Sequence, residues 1–257
     1  MHRFYVQDII DSDKIVSITG SDVNHIVNVL RLSVGDSIVV SDGSSRDYTC
    51  KISSIDKTSQ EVIADIIDIN DSFAELPADI YLFQGVPKGD KLEFIVQKNI
   101  ELGVHSIVPV MMERTIVKLD DKKKAKKIER YNGIAEAAAK QSRRGIIPEV
   151  MPFMSFKESI DMVQKEMDFI LVPYESAEGM EFSHKVINDI IAEVHDNNSE
   201  KKLNIAIFIG PEGGFANSEI DMLKSCGSKI FSLGHRILRT ETAGMMVMSI
   251  LSFGLDD

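Results

Sequence analysis

Hydrophobic and polar positions divide this chain into two patterns. In the first, short runs alternate with a period of two residues, as half-buried strands do. Residues 4–6 and 15–18 are short strand candidates, and 37–41, 48–55 and 61–69 are longer ones. Residues 22–30 carry the spacing of a short helix, 33–36 read as a turn, and Asp42-Gly43 is a hairpin signal. Several short strands at this spacing predict a small β-barrel domain over residues 1–72. A polar linker with one proline, residues 70–77, marks the boundary.

From residue 78 the second pattern begins, and strands alternate with helices. Residues 80–86 predict a strand. Residues 88–102 predict a helix with Leu92, Ile95, Val96 and Ile100 on its apolar face, ended by Gly103. Strands at 106–110, 168–173, 205–209 and 229–233 follow, with helices at 120–143 and 183–195, a polar loop at 196–202 and a last apolar helix. Five strands with intervening helices predict an α/β fold, with a mostly parallel sheet covered on both faces, over residues 73–257.

Composition narrows the class. A chain of 257 residues at 44% hydrophobic content can bury one large core or two modest ones. No apolar run approaches the roughly 20 residues that span a bilayer, and the first residues lack the regions of a signal peptide. The two cysteines, Cys50 and Cys226, fit a reducing, cytoplasmic location and form no metal pattern. The six histidines show no H-E-x-x-H spacing, so no metal is expected. The net charge of −11 argues against nucleic acid, but its distribution does not. Residues 81–150 hold 14 lysines and arginines against 9 acids, leaving the remainder strongly acidic. Such a basic segment fits a local phosphate-binding face or a solvated helix face.

The candidate chemistry sits in the last fifty residues or so. One strand runs into Gly210-Pro211-Glu212-Gly213-Gly214-Phe215, and the next into Gly234-His235-Arg236-Ile237-Leu238-Arg239-Thr240-Glu241-Thr242-Ala243. In open α/β sheets, ligands bind at the carboxyl ends of the strands, and glycines there let a backbone approach closely. Neither loop is a dinucleotide fingerprint or a P-loop. Alone, the first also reads as a plain turn, and the second as a helix cap by Thr240 with Glu241 favoured by the helix dipole.

Together, Ile209 to Phe215 and Leu233 to Ala243 resemble the RsmE family of bacterial 16S ribosomal RNA (uracil-N3) methyltransferases, in the SPOUT superfamily. Supporting similarity lies in Glu101-Leu102-Gly103-Val104 with Pro109, in Gln141-Ser142-Arg143-Arg144 with Pro148, and in the segment from His25 to Arg31 with Val34-Gly35-Asp36. The resemblance implies a PUA-like RNA-binding barrel followed by a SPOUT domain whose C-terminal stretch forms a trefoil knot. It implies S-adenosyl-L-methionine as cofactor, a 16S rRNA or small-subunit substrate, and a homodimer with no membrane or metal partner. The crowd of Met245, Met246, Val247, Met248, Ile250, Leu251 and Phe253 on the last helix fits that dimer or burial within one chain.

Carried onto this sequence, the cofactor would lie among Val172, Pro173, Tyr174 and Glu175, then Ile209, Gly210, Pro211, Glu212, Gly213 and Gly214. Leu233, Gly234, Ile237, Leu238, Arg239, Thr240 and Ala243 would close the site. Arg236 and Arg239 are candidates to stabilise negative charge on the uracil, with Glu241 as base, helix cap or partner of Arg239. RNA-binding candidates are Arg3, His25, Arg31, Lys88, Lys91, Arg114, Arg143 and Arg144. His25 and Arg31 also fit the plain decoration of a helix end. Ala216 stands where the family has a capping Ser or Thr, so Asn217 or Ser218 is expected to cap instead. A SPOUT enzyme acting on a ribose 2′-hydroxyl, an RNA-binding assembly factor and a phosphate-binding metabolic enzyme are the rival readings.

Overall fold

The period-two runs of the N-terminal region become a five-stranded sheet. The computed structural model describes residues 1–6, 9, 14–175, 179–199 and 201–256, so Glu200, within the expected 196–202 loop, lies outside the described residues. Strands β1 (His2–Tyr5), β2 (Ile15–Thr19), β3 (Ser37–Ser41), β4 (Arg46–Asp56) and β5 (Glu61–Asp71) form the order β1-β3-β4-β5-β2. β1 pairs with β3 in parallel and the other pairs are antiparallel. Alternate residues turn inward, and Phe4, Val16, Ile18, Ile38, Val40, Tyr48, Cys50, Ile52, Val62 and Ala64 make the core with Val23 and Ile26. The Asp42-Gly43 turn joins β3 to β4; the Asp42 carboxylate accepts from Ser44 N at 2.6 Å and Arg46 N at 3.2 Å.

The expected helix at 22–30 is more broken than its spacing implies. Helix α1 (Ser21–Asn24) gives way to a wide π-helical turn, His25–Val29, with Leu30 N donating to His25 O at 2.8 Å. Its β-branched Ile26, Val27 and Val29 and its Asn28 are weak helix formers. Residues Met1–Glu75 and Ala139–Ile147 form one compact unit; Leu76–Ala138 and Pro148–Asp257 form the other. The division thus falls at 75/76, and the 139–147 segment groups with the N-terminal sheet.

The second unit carries a seven-stranded, parallel sheet. Its elements are β6 (Ala78–Gly85), α2 (Lys91–Glu101), β7 (Ser106–Met111), α3 (Asp121–Ser142), β8 (Glu149–Val150) and β9 (Met154–Ser155). Then come α4 (Phe156–Glu166), β10 (Phe169–Pro173), α5 (Met180–His195), β11 (Leu203–Ile209), α6 (Asn217–Ser225), β12 (Lys229–Phe231) and α7 (Thr240–Leu255). The strand order is β12-β10-β11-β6-β7-β8, with β9 also on β7. Central strands are buried almost throughout, as parallel strands covered on both faces must be. Phe83 and Phe208 stack at 4.6 Å between ring centroids, with Phe156 edge-on to Phe208.

Two departures from the sequence pattern have local causes. Helix α4 was not expected, although Ser155-Phe156-Lys157-Glu158 is a capping box: Ser155 Oγ accepts from Glu158 N at 3.2 Å and Glu158 Oε2 from Ser155 N at 2.7 Å. The strand expected at 229–233 stops at Phe231 because Ser232 N turns aside to donate to Ser183 Oγ at 2.9 Å. No helix among the described residues is long and apolar enough to cross a membrane.

Candidate active site

Sheet order places the chemistry. β12, β10 and β11 are neighbours, so the loops leaving their carboxyl ends lie side by side. Together they enclose a cavity of about 470 Å³. Of the residues expected around a cofactor, Pro173, Tyr174, Glu175, Ile209, Gly210, Pro211, Glu212, Gly213, Gly214, Leu233, Gly234, Ile237, Leu238, Arg239, Thr240 and Ala243 line it. Val172 does not: it is fully buried in β10 and belongs to the apolar core. Phe215, Ser232, Arg236 and Lys91 also line the cavity.

The first loop is shaped by close approach. A Cβ on Gly210 would come within 3.1 Å of Gly214 C and 3.2 Å of Phe215 N, so any side chain there would push the loop apart by a few tenths of an ångström. Gly214 takes φ +68°, in the left-handed region that glycine enters freely. Arg114, an RNA-binding candidate, is exposed and donates from Nη1 to Gly213 O at 2.9 Å. Glu219, buried in α6, accepts from Ala216 N and from Glu113 N, each at 2.8 Å. The helix start is therefore held from Glu219 rather than by Asn217 or Ser218.

The two loops are tied together by a buried relay. Gln84 Nε2 at the end of β6 donates to Thr240 Oγ1 at 2.8 Å, and Thr240 Oγ1 donates to Gly210 O at 2.7 Å. Thr240 is thus a cross-link between loops, not a helix cap. Gln84 gave no sequence signal, since a lone polar residue at a strand end has no period to break. Thr240→Val keeps the shape but leaves Gln84 Nε2 with only its bond to Gly85 O and takes the Thr240 donor from Gly210 O; we expect a loss of about 1–3 kcal/mol in urea unfolding.

Charge gathers at one wall. Lys91 Nζ lies 2.9 Å from Glu212 Oε1 and 3.7 Å from Glu241 Oε2. Glu212 also accepts from Lys88 N at 3.1 Å; α2 starts at Lys91 and not at 88, since Gly89 takes φ +63°, outside the helical region. Burial would raise the Glu212 carboxyl, but hydrogen bonds from Lys91 and the backbone and the Lys91 charge hold it below its ordinary value. Glu241 neither caps α7 nor lines the cavity; it faces Lys91. Arg236 and Arg239 are exposed on the cavity wall.

The remaining RNA candidates separate. Arg31 and Arg143 are exposed at φ +56° and +59°, and exposed His25 stands edge-on to Phe4. Arg3 is engaged by Asp47 and by the carbonyls of Arg143 and Arg144. Arg144 is a correction: at 2% exposure its guanidinium is paired with Glu75, Nε–Oε1 2.9 Å and Nη2–Oε2 2.7 Å, and no face is left for a phosphate. Among the described residues, no group of three or more His, Cys, Asp or Glu could hold a metal ion.

A parallel sheet with a glycine-lined cavity at its carboxyl edge, in a chain with a second small β unit, defines a class. Residues 74–252 match the model of an RNA methyltransferase domain, and residues 18–65 that of an RNA methyltransferase PUA domain. The chain is 37% identical to the ribosomal RNA small subunit methyltransferase E of Bacillus subtilis, over 98% of this chain and 96% of that one. A solved ribosomal RNA small subunit methyltransferase E from Neisseria gonorrhoeae, bound to S-adenosyl methionine, superposes with a TM-score of 0.75 at 28% identity, covering 98% and 97% of the two chains. A putative methyltransferase from Legionella pneumophila, in complex with the bound cofactor SAM, gives 0.73 at 29% identity over 98% and 96%. The chain belongs to the ribosomal RNA small subunit methyltransferase E family, the family that its C-terminal loops resemble.

Proposed function

We propose that this protein is an S-adenosylmethionine-dependent methyltransferase acting on N3 of a uridine in 16S ribosomal RNA. The observation that carries this reading is the cavity at the carboxyl edge of β10, β11 and β12, set in a chain of this family. The cavity suits the cofactor on three counts. Its volume is that of a small-molecule site. Gly210, Gly213, Gly214 and Gly234 allow close backbone approach, while Ile209, Leu233, Ile237, Leu238 and Ala243 offer apolar walls for an adenine. Glu175 and Glu212 bring negative charge to a cationic ligand.

S-adenosylmethionine, when bound, supplies an electrophilic methyl group on a sulfonium. The chain's own residues then bind, orient and stabilise. Ties from Thr240 to Gly210 and from Arg114 to Gly213 fix the first loop before the ligand arrives. The cations of the wall favour negative charge on the pyrimidine. Exposed Arg31, Arg143 and His25 on the N-terminal unit are the side chains we assign to RNA, in single-stranded or loosely paired regions where a base can be reached. The trefoil knot of the C-terminal stretch, cytoplasmic residence and a homodimer belong to the same proposal. For the dimer, α7 buries Val247, Met248 and Leu251 yet leaves Phe253 88% exposed.

Calorimetry and nucleoside analysis test the reading. Wild-type protein should bind S-adenosylmethionine near micromolar Kd, about −8 kcal/mol, and small-subunit RNA treated with both should yield 3-methyluridine. A 2′-O-methylated nucleoside would move the activity to another SPOUT target. Neither binding nor methylation, with the fold intact, would defeat the enzyme reading.

A further inference from the structure

Among the described residues, Lys91 is the only cavity-lining residue that does not come from the three strand-end loops or the α7 turn that follows the last of them. It opens α2, where the helix dipole disfavours a positive charge. Two carboxylates compensate, Glu212 of the loop after β11 at 2.9 Å and Glu241 of the first turn of α7 at 3.7 Å from Nζ. The Glu241 Oε2 is buried and has no hydrogen-bond donor, so its one cationic neighbour of record is Lys91. Arg236 and Arg239, on the same wall, are exposed, and among the described residues their guanidinium groups have no hydrogen-bond or ion-pair partner. Lys91 is the cation that the fold holds in one place.

A fixed ammonium at this wall does not serve a sulfonium, which it repels, nor an adenine slot. It serves an anion, either the cofactor's carboxylate or a reactant that becomes negative, and the second needs a cation held in place. We propose that Lys91 is a catalytic residue of the methyl transfer, its ammonium donating to the uracil carbonyl oxygen beside N3 and holding the negative charge of the deprotonated ring; this rests on the methyltransferase reading above. N3–H is a weak acid. Its proton passes to water, the N3 lone pair forms the new N–CH₃ bond, and the electron pair of the broken C–S bond stays on sulfur as a neutral thioether. Glu212 and Glu241 are positioning residues in this scheme. The Glu212 hydrogen bond, with the charges of both carboxylates, raises the Lys91 ammonium above its ordinary value against burial and Arg239. Lys91 therefore remains a donor through the pH range in which a weak imide acid ionises.

The experiment compares wild type, Lys91→Met and Lys91→Arg at saturating S-adenosylmethionine and small-subunit RNA, with kcat measured against pH and cofactor Kd by calorimetry. Lys91→Met should lose about 10²–10³-fold in kcat at neutral pH, with cofactor Kd within about twofold of wild type. Because the variant no longer lowers the acidity threshold of N3, its deficit should stay constant while N3 is protonated in both enzymes and shrink by up to about tenfold per pH unit once the pH passes the wild-type threshold. Lys91→Arg should recover part of the rate, and Glu241→Gln should show a smaller loss with the same pH trend. A wild-type kcat in Lys91→Met, or a deficit that stays unchanged after the wild-type kcat has levelled off with rising pH, overturns the proposal. So does a loss confined to cofactor Kd, which would place Lys91 on the cofactor's carboxylate. A wild type that binds cofactor and methylates nothing overturns the methyltransferase reading itself, and the role of Lys91 with it.

Discussion

Gly85→Ala should cost this protein its cofactor site, although the substituted residue does not line it. Gly85 ends β6, beneath the first loop. A Cβ there would sit 2.6 Å from both Cδ and N of Pro211 and 2.9 Å from Met112 Sδ. The methionine can swing aside, being flexible. Pro211 cannot, because its ring is locked to the backbone and the loop behind it is already folded tightly on itself, Gly210 against Gly214 at 3.1 Å for a built Cβ. The whole loop must lift, carrying Glu212 and the cavity wall with it. Overpacking of this kind costs about 1–3 kcal/mol. The larger effect falls on binding: each 1.4 kcal/mol of lost preorganisation weakens affinity about tenfold, so we expect a drop of roughly 10–100-fold in S-adenosylmethionine affinity. Calorimetry on the variant, beside its urea midpoint, checks both. Wild-type affinity in Gly85→Ala would show that the loop does not rest on β6.

How much of this was legible in the sequence follows from what kind of signal each feature leaves. The strand-end loops were readable because glycines follow apolar runs, and the sheet then brings β12, β10 and β11 together. Nearly all the residues expected around the cavity line it for that reason. Val172 was misplaced by one position, since in a strand a single step turns a side chain from the edge into the core. The charged residues were harder. The helical spacing of 88–102 sets Lys91 off the apolar face, and it says nothing about Glu212, 121 residues further on, which takes up Lys91. Arg143-Arg144 reads as a phosphate clamp, yet one arginine is exposed and the next is buried against Glu75, 69 residues away. Local periodicity carries burial; it does not carry partners. Helix α4 is a different failure, because its Ser155-to-Glu158 box is local and was there to be read.

Glu75→Gln is the substitution expected to do most harm to the N-terminal unit. Glu75 Oε1 accepts from Arg144 Nε at 2.9 Å, Gly145 N at 2.7 Å and Ile146 N at 3.3 Å, while Oε2 accepts from Arg144 Nη2 at 2.7 Å. Both side chains are nearly closed to solvent, at 7% and 3% relative exposure. An amide in this place turns one acceptor into a donor that faces Arg144, and takes the Glu75 charge away from a buried guanidinium. Breaking a buried pair from one side costs about 3–5 kcal/mol, a large share of what holds any small unit folded. The 139–147 segment should loosen first, since Glu75 holds Arg144, Gly145 and Ile146 at once, beside bonds such as Ser41 Oγ to Gly145 O at 3.1 Å and Arg3 to the Arg144 carbonyl at 2.8 Å. Amide exchange should therefore quicken across 139–147 and β3 before it does in β6 and β11, and RNA affinity should fall with the loss of a fixed Arg143. The paired change Glu75→Leu with Arg144→Met separates charge from shape. Replacing both partners by apolar groups often restores what one-sided removal loses, so the double variant should unfold at a higher urea concentration than Glu75→Gln. If it unfolds at a lower one, the carboxylate matters for its backbone bonds to Gly145 and Ile146 more than for its arginine.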